Sequence, residues 1–146
     1  MPAQLVLSVA DIRAVEQRTM AGLPEGTLMQ RAAAGIAVSG MRVLREVAGL
    51  VTGSRVTLLV GSGDNGGDAL YAGARLAGRG ARVDAILLAD RHHVPGAQAL
   101  TRAGGRIHGP SDDPAPLLSL VRGADLVIDG IVGIGGTGPV RERAVP

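Results

Sequence analysis

Apolar positions in the first third of the chain recur at helical spacing. Ile12, Val15, Thr19 and Met20 share one face of a helix that Ser8 can cap, with Asp11 three residues later as a short-reach capping partner; Gly22 ends it. A second helix is predicted to start around residues 24–27 and run towards Val47, with Leu28, Ala32, Ile36, Val43 and Val47 at helical spacing. The run from Ala32 to Gly35 makes that face thin enough for another backbone to approach closely. Gly49 and Gly53 break the pattern.

From Arg55 the texture changes. RVTLLV is a short β-branched and leucine run, and a glycine loop follows at 61–67. Residues 68–79 read as a helix, 81–88 as a buried strand, 94–103 as a helix, 106–108 as a short strand and 114–122 as a helix. DLVID, 125–129, is a fourth strand ending in acid. Continuous apolar strands alternating with helices predict an α/β domain, three-layered and Rossmann-like, with a mainly parallel sheet and helices on both faces. The two N-terminal helices are expected to pack on that sheet. No repeat, low-complexity tract or linker divides residues 1–146. After the fourth strand come the glycines of 133–138 and only eight more residues, without the helix that normally covers such a strand. The expectation is a partial domain, truncated after the fourth strand with its C-terminal part missing; the alternative is a minimal domain completed by a partner.

Composition narrows the chemistry. Of 146 residues, 46% are hydrophobic and 19% charged, which suits a globular core despite 23 glycines. Cysteine is absent, removing disulfides, zinc–thiolate sites and thiol nucleophiles together. All 15 basic residues are arginine, so there is no lysine for a Schiff base or a phosphate-gripping P-loop. Tyr71 is the single aromatic residue, and the arginines are scattered under a net charge of +2, so no nucleic-acid surface is expected. No apolar stretch approaches the ~20 residues of a membrane span, and the N-terminus lacks a signal-peptide pattern. A soluble cytoplasmic domain is the expectation.

The main motif is VGSGDNGGDAL, 60–70, which follows a predicted strand and opens a helix. Gly61, Gly63 and Gly66 satisfy GxGxxG, and Asp90 near the end of the next strand could bind a ribose. Such a turn presents backbone N–H groups to an anion. Asp64 and Asp68 sit badly beside a pyrophosphate unless they point away, bond sugar or amide groups, or share a cation. Asn65 adds a neutral oxygen. Asp129 ends the fourth strand, and in a parallel sheet both Asn65 and Asp129 lie at the C-terminal rim, where they could converge on one hard cation. For Asp68, helix capping is an equally good reading. DGIVGIGGTG is also similar to the acid-plus-glycine loop of S-adenosylmethionine methyltransferases, but that loop belongs to a first strand and here it comes last. His92, His93 and His108 read as solvated loop residues, and Tyr71 as packing.

Together these residues resemble the YjeF-type N-terminal domain of the NAD(P)H-hydrate epimerase family. Its GxGNNGGDG hallmark stands here as Gly61-Ser62-Gly63-Asp64-Asn65-Gly66-Gly67-Asp68-Ala69. A second hallmark stands as Asp129-Gly130-Ile131-Val132-Gly133-Ile134-Gly135, and Leu28-Met29-Gln30-Arg31-Ala32 is similar to an LMExA stretch of the family's early helix. The resemblance implies interconversion of the R and S forms of NADHX and NADPHX, coenzymes hydrated at nicotinamide C6, in metabolite repair. It implies that Asp64, Asn65, Gly66, Gly67 and Asp68 contact the substrate, as do Gly133, Ile134, Gly135, Gly136, Thr137, Gly138 and Pro139. It implies a potassium ion (K+) held by Asn65 and Asp129, and an ADP-dependent dehydratase as functional partner, in many bacteria part of the same polypeptide. A homo-oligomer is a further option. Asp64 replaces the usual Asn, adding charge without losing an acceptor oxygen, and Ala69 replaces a Gly. The family's proton-moving groups follow the second loop, so no catalytic residue is assigned in this chain. Two other classes stay open: a non-catalytic YjeF-like scaffold, and an NAD(P)-dependent oxidoreductase suggested by GxGxxG alone.

Overall fold

A computed structural model describes residues 7–133. Ser8 caps the first helix, α1 (Val9–Met20): its hydroxyl accepts from the Asp11 amide at 3.1 Å, and the Asp11 carboxylate accepts from the Ser8 amide, closing a capping box. None of the α1 residues is buried. The expected packing of both N-terminal helices on the sheet therefore holds only for the second, α2 (Thr27–Ala48). The reason is the width of the α1 stripe. Ile12, Val15 and Met20 are too few to make the broad apolar face that a docked helix needs, and Val15 and Met20 stay half-exposed.

The sheet forms as the alternating pattern predicts. Strands β1 (Arg55–Val60), β2 (Arg82–Leu87), β3 (Arg106–His108) and β4 (Leu126–Gly130) lie in the order β3-β2-β1-β4, and every pairing is parallel. Helices α3 (Asp64–Ala77) and α4 (Val94–Arg102) cross over between the strands, and α5 (Ala115–Arg122) leads into β4. Alternate strand residues point to opposite faces. Val56, Leu58, Val60, Val83, Ala85 and Leu87 meet Leu70, Leu76 and Leu100 of α3 and α4 in one core. On the opposite face, the buried Thr57 hydroxyl donates to the Leu120 carbonyl of α5 at 3.1 Å. Helices thus lie on both faces, but α5 buries no residue of its own and covers its side lightly.

Helix α2 buries Ala33, Ala37, Gly40 and Leu44, a line one position on from part of the face that spacing suggested; Ala32 and Val47 are exposed. Of the expected thin run only Ala33 is buried, and the tight contact further along is with side chains rather than another backbone. A Cβ on Gly40 would stand 3.2 Å from the Leu126 side chain, whereas Gly35 faces open space. Small residues let α2 lie directly on α3 and the end strand.

Candidate functional site

The chain builds β1, β2 and β3 outward, then returns to place β4 on the free side of β1. That reversal makes the C-terminal ends of β1 and β4 the switch point of the sheet, the place where open α/β sheets gather ligands. Leu59 pairs with Asp129 and Val60 with Gly130 across it. Both sequence motifs therefore meet at one rim.

They meet through glycine. The Gly61 amide donates to the Gly130 carbonyl at 3.0 Å. A Cβ on Gly61 would run into the Ile131 carbonyl, and one on Gly66 into the Gly61 carbonyl. At Gly130 a Cβ would sit 2.9 Å from the Asn65 carbonyl, and at Gly133 2.6 Å from the Asn65 side-chain nitrogen. These glycines leave room for two backbone segments to touch. Close packing also moves the helix start. Residues 64–67 were expected to be loop, yet α3 begins at Asp64 with Gly63 as a cap that offers no side chain. Gly66 and Gly67 are helical and buried, the latter against Met29 and the His93 ring. Asp64 and Asn65 thus stand in the first helical turn of α3.

Asp68 lies one turn further in, so the capping role read from its position falls away. Its half-buried carboxyl is pushed up to about 6 by burial and by the like charge of Asp64, against the lowering effect of His93. His93 itself is no solvated loop residue. It caps α4, its Nδ1 accepting the Gly96 amide at 3.0 Å, and its ring meets Tyr71 edge-on with centroids 5.5 Å apart. The readable signal was His93-Val94-Pro95, a cap followed by proline in the first helical turn. His108 also departs from the solvated reading: its Nε2 lies 2.7 Å from Asp84 on β2, which Arg106 clasps with two further bonds at 2.9 and 3.0 Å. His92 is half-buried, its Nδ1 3.2 Å from the Asp90 carbonyl, and Asp90 is exposed just beyond β2. Tyr71 packs, as its position suggested.

Asp129 is exposed, and its Oδ1 accepts the Ile131 amide at 2.9 Å, tying the end of β4 into a tight turn. Its second carboxylate oxygen makes no hydrogen bond among the described residues. The Asn65 amide lies against Gly133, three residues beyond the end of β4. Both donors are oxygen-bearing and lie on segments in contact, a set suited to a hard cation. No group of three His, Cys, Asp or Glu side chains able to hold a metal occurs among the described residues. Ile134, Gly135, Gly136, Thr137, Gly138 and Pro139 lie outside the described residues.

A parallel sheet with glycine-rich segments meeting at its reversal point defines a Rossmann-like α/β domain. More particularly, the chain belongs to the family described as YjeF-related protein N-terminus, whose model matches residues 25–146. It is 49% identical over 138 residues to the bifunctional NAD(P)H-hydrate repair enzyme Nnr of Mycobacterium tuberculosis, covering 94% of this chain and 27% of that protein. Against the NAD(P)H-hydrate epimerase of Clavibacter michiganensis it is 42% identical, over 89% of this chain and 53% of the relative. The chain thus spans between about a quarter and about half the length of these curated relatives. The crystal structure of yeast ynu0, YNL200c, shares the fold with a TM-score of 0.80 at 20% identity, over 95% of this chain and 61% of that one. No helix among the described residues is long and apolar enough to cross a membrane.

Proposed function

We propose that the protein is an NAD(P)H-hydrate epimerase, interconverting the R and S forms of NADHX and NADPHX, with this chain supplying the glycine-loop half of the site. The observation that carries the reading is the interlocking of the two loops at the C-terminal ends of β1 and β4, where Gly61 abuts Ile131 and Asn65 abuts Gly133. Relatives named NAD(P)H-hydrate epimerase at 40–42% identity support it. Asp64, Asn65, Gly66, Gly67 and Asp68 would line the dinucleotide, and the stretch from Gly133 to Pro139 would close over it.

Asn65 and Asp129 fit a potassium ion. Asp129 can use the oxygen not engaged by the Ile131 amide, and Asn65 a neutral one. When bound, such an ion would supply positive charge to offset the carboxylates of Asp64 and Asp68 against an anionic substrate. The substrate is a carbinolamine, and its C6 configuration would be lost in one of two ways. Either the protonated C6 hydroxyl leaves as water, giving an iminium that water re-enters from either face, or the C6–N bond breaks to a ring-opened aldehyde, the hydroxyl proton passing to nitrogen, and then recloses. The site then has to hold the dinucleotide and stabilise changing charge. An ADP-dependent, S-specific dehydratase is the natural consumer of the product, and relatives named as bifunctional repair enzymes support its fusion to this domain. The cytoplasm, where these coenzymes turn over, is the proposed location.

The test supplies purified R-NADPHX to the full-length protein and couples S-NADPHX formation to that dehydratase, with potassium present or replaced by an organic cation. Conversion faster than the spontaneous rate, and faster with potassium, is expected. The spontaneous rate under both conditions would overturn the reading.

A further inference from the structure

We propose that Gly133 is a positioning residue for Asn65: having no side chain, it sets where the Asn65 amide stands and hence where its oxygen can meet a cation. The inference rests on the potassium reading above, and in this role Gly133 acts only through Asn65. One short segment holds Asn65 at two points. Its backbone carbonyl would stand 2.9 Å from a Cβ on Gly130, and its side-chain nitrogen 2.6 Å from a Cβ on Gly133. The turn between those glycines begins at Asp129, whose Oδ1 accepts the Ile131 amide at 2.9 Å. The residue that carries the charge and the residue that bounds the amide therefore belong to the same turn.

The two contacts differ in what can give way. The Asn65 backbone is fixed in the first turn of α3, and the next residue, Gly66, is buried with the Gly61 carbonyl where its Cβ would be. Only the side-chain torsions of Asn65 are left to move. A methyl group at position 133 would also come within 3.3 Å of its Cγ and Oδ1, so the whole amide has to swing aside. Folding tolerates that swing, because the end of a side chain yields where backbone does not. A cation site does not tolerate it, because a hard cation needs its oxygens at set distances. Altering a group that orients a metal ligand typically changes affinity by about 10–100-fold. Backbone conformation does not explain the glycine: Gly133 is not among those with positive φ.

The test uses the full-length protein and reads the ion without substrate. Thermal melts over a potassium series, with choline holding the ionic strength constant, give an apparent potassium affinity. Gly133→Ala should melt near the wild-type temperature in choline alone and need at least about tenfold more potassium for the same upward shift. Asn65→Ala should also weaken the response, and adding Gly133→Ala to it should cost nothing further, since the amide to be displaced is gone. Wild-type potassium affinity in Gly133→Ala would overturn the proposal, as would additive losses in the double variant. Gly133→Ala melting well below wild type in choline alone would also overturn it and make Gly133 a residue of the fold. A wild-type protein whose melting ignores potassium would instead overturn the cation reading, and this inference with it.

Discussion

Asp68 is held against its preferred state. Burial and Asp64 raise its carboxyl to about 6 in the folded protein, above the ordinary carboxylate range. A raised acid binds its proton more tightly when folded, so its contribution is fully present below the unfolded value and is lost as pH rises through about 6. At pH 7.5 the ionised group therefore works against folding. Asp68→Asn should raise the melting temperature at pH 7.5 and give no gain at pH 4, measured by thermal unfolding across that range. This is the reverse of what a capping aspartate would show, and the sequence misled because Asp68 sits where an apparent loop ends. The helix in fact starts at Asp64, under two buried glycines that spacing alone marks as loop. Asp84 behaves oppositely. Burial pushes its carboxyl up, but hydrogen bonds from Arg106 and His108 outweigh that and hold it below the usual range. Its stabilisation is present above the unfolded value and lost as pH falls through the folded one. Asp84→Ala should cost about 1–3 kcal/mol at neutral pH and flatten the acid side of the stability profile, read by denaturant melts. Nothing in the one-dimensional pattern paired Asp84 with residues 22 and 24 positions away; the parallel register of β2 and β3 does that.

At the level of elements, most of the layout was legible. Strand runs such as RVTLLV declare themselves through β-branched and apolar content, and the Ser8–Asp11 box marks the start of α1. What was not legible was which small residues carry contacts. The thin face of α2 runs through Ala33, Ala37 and Gly40 because α3 and Leu126 lie there, and helical spacing cannot see its neighbours. The glycines accordingly separate into two kinds. Gly61→Ala would force a Cβ into the Ile131 carbonyl, and Gly130→Ala into Ala69 and the Asn65 carbonyl. Each should cost about 1–3 kcal/mol, because backbone cannot give way as a flexible side chain can. Gly35→Ala, on the exposed face of α2 with open space around it, should stabilise by about 0.5–1 kcal/mol. Denaturant unfolding of the three variants checks both signs.

For the molecule as a whole, parallel α/β texture was readable, but the strand order was not. Only the return of β4 to the free side of β1 brings the two loops together, and that return is a property of the connection through α5, not of any local period. The order brings Asp129 beside the glycine loop across 64 residues of sequence from Asn65. Asp129 then has two separable duties: Oδ1 ties its own turn through the Ile131 amide, and the carboxylate supplies the full negative charge of the proposed potassium site. Two substitutions divide them in the full-length protein. Asp129→Asn keeps a carbonyl oxygen for the Ile131 amide and removes the charge, so it should fold with near wild-type melting temperature. Its epimerisation of R-NADPHX should nonetheless fall by at least about tenfold, the equivalent of ~1.4 kcal/mol of lost electrostatic stabilisation, and respond less to potassium. Asp129→Ala removes the turn bond as well, so it should lose both activity and about 1 kcal/mol of stability. Rates are read as S-NADPHX delivered to the dehydratase over a potassium series, beside thermal melts of the same preparations. An Asp129→Asn protein with wild-type rate and potassium response would remove Asp129 from the cation site and leave it as a turn residue alone.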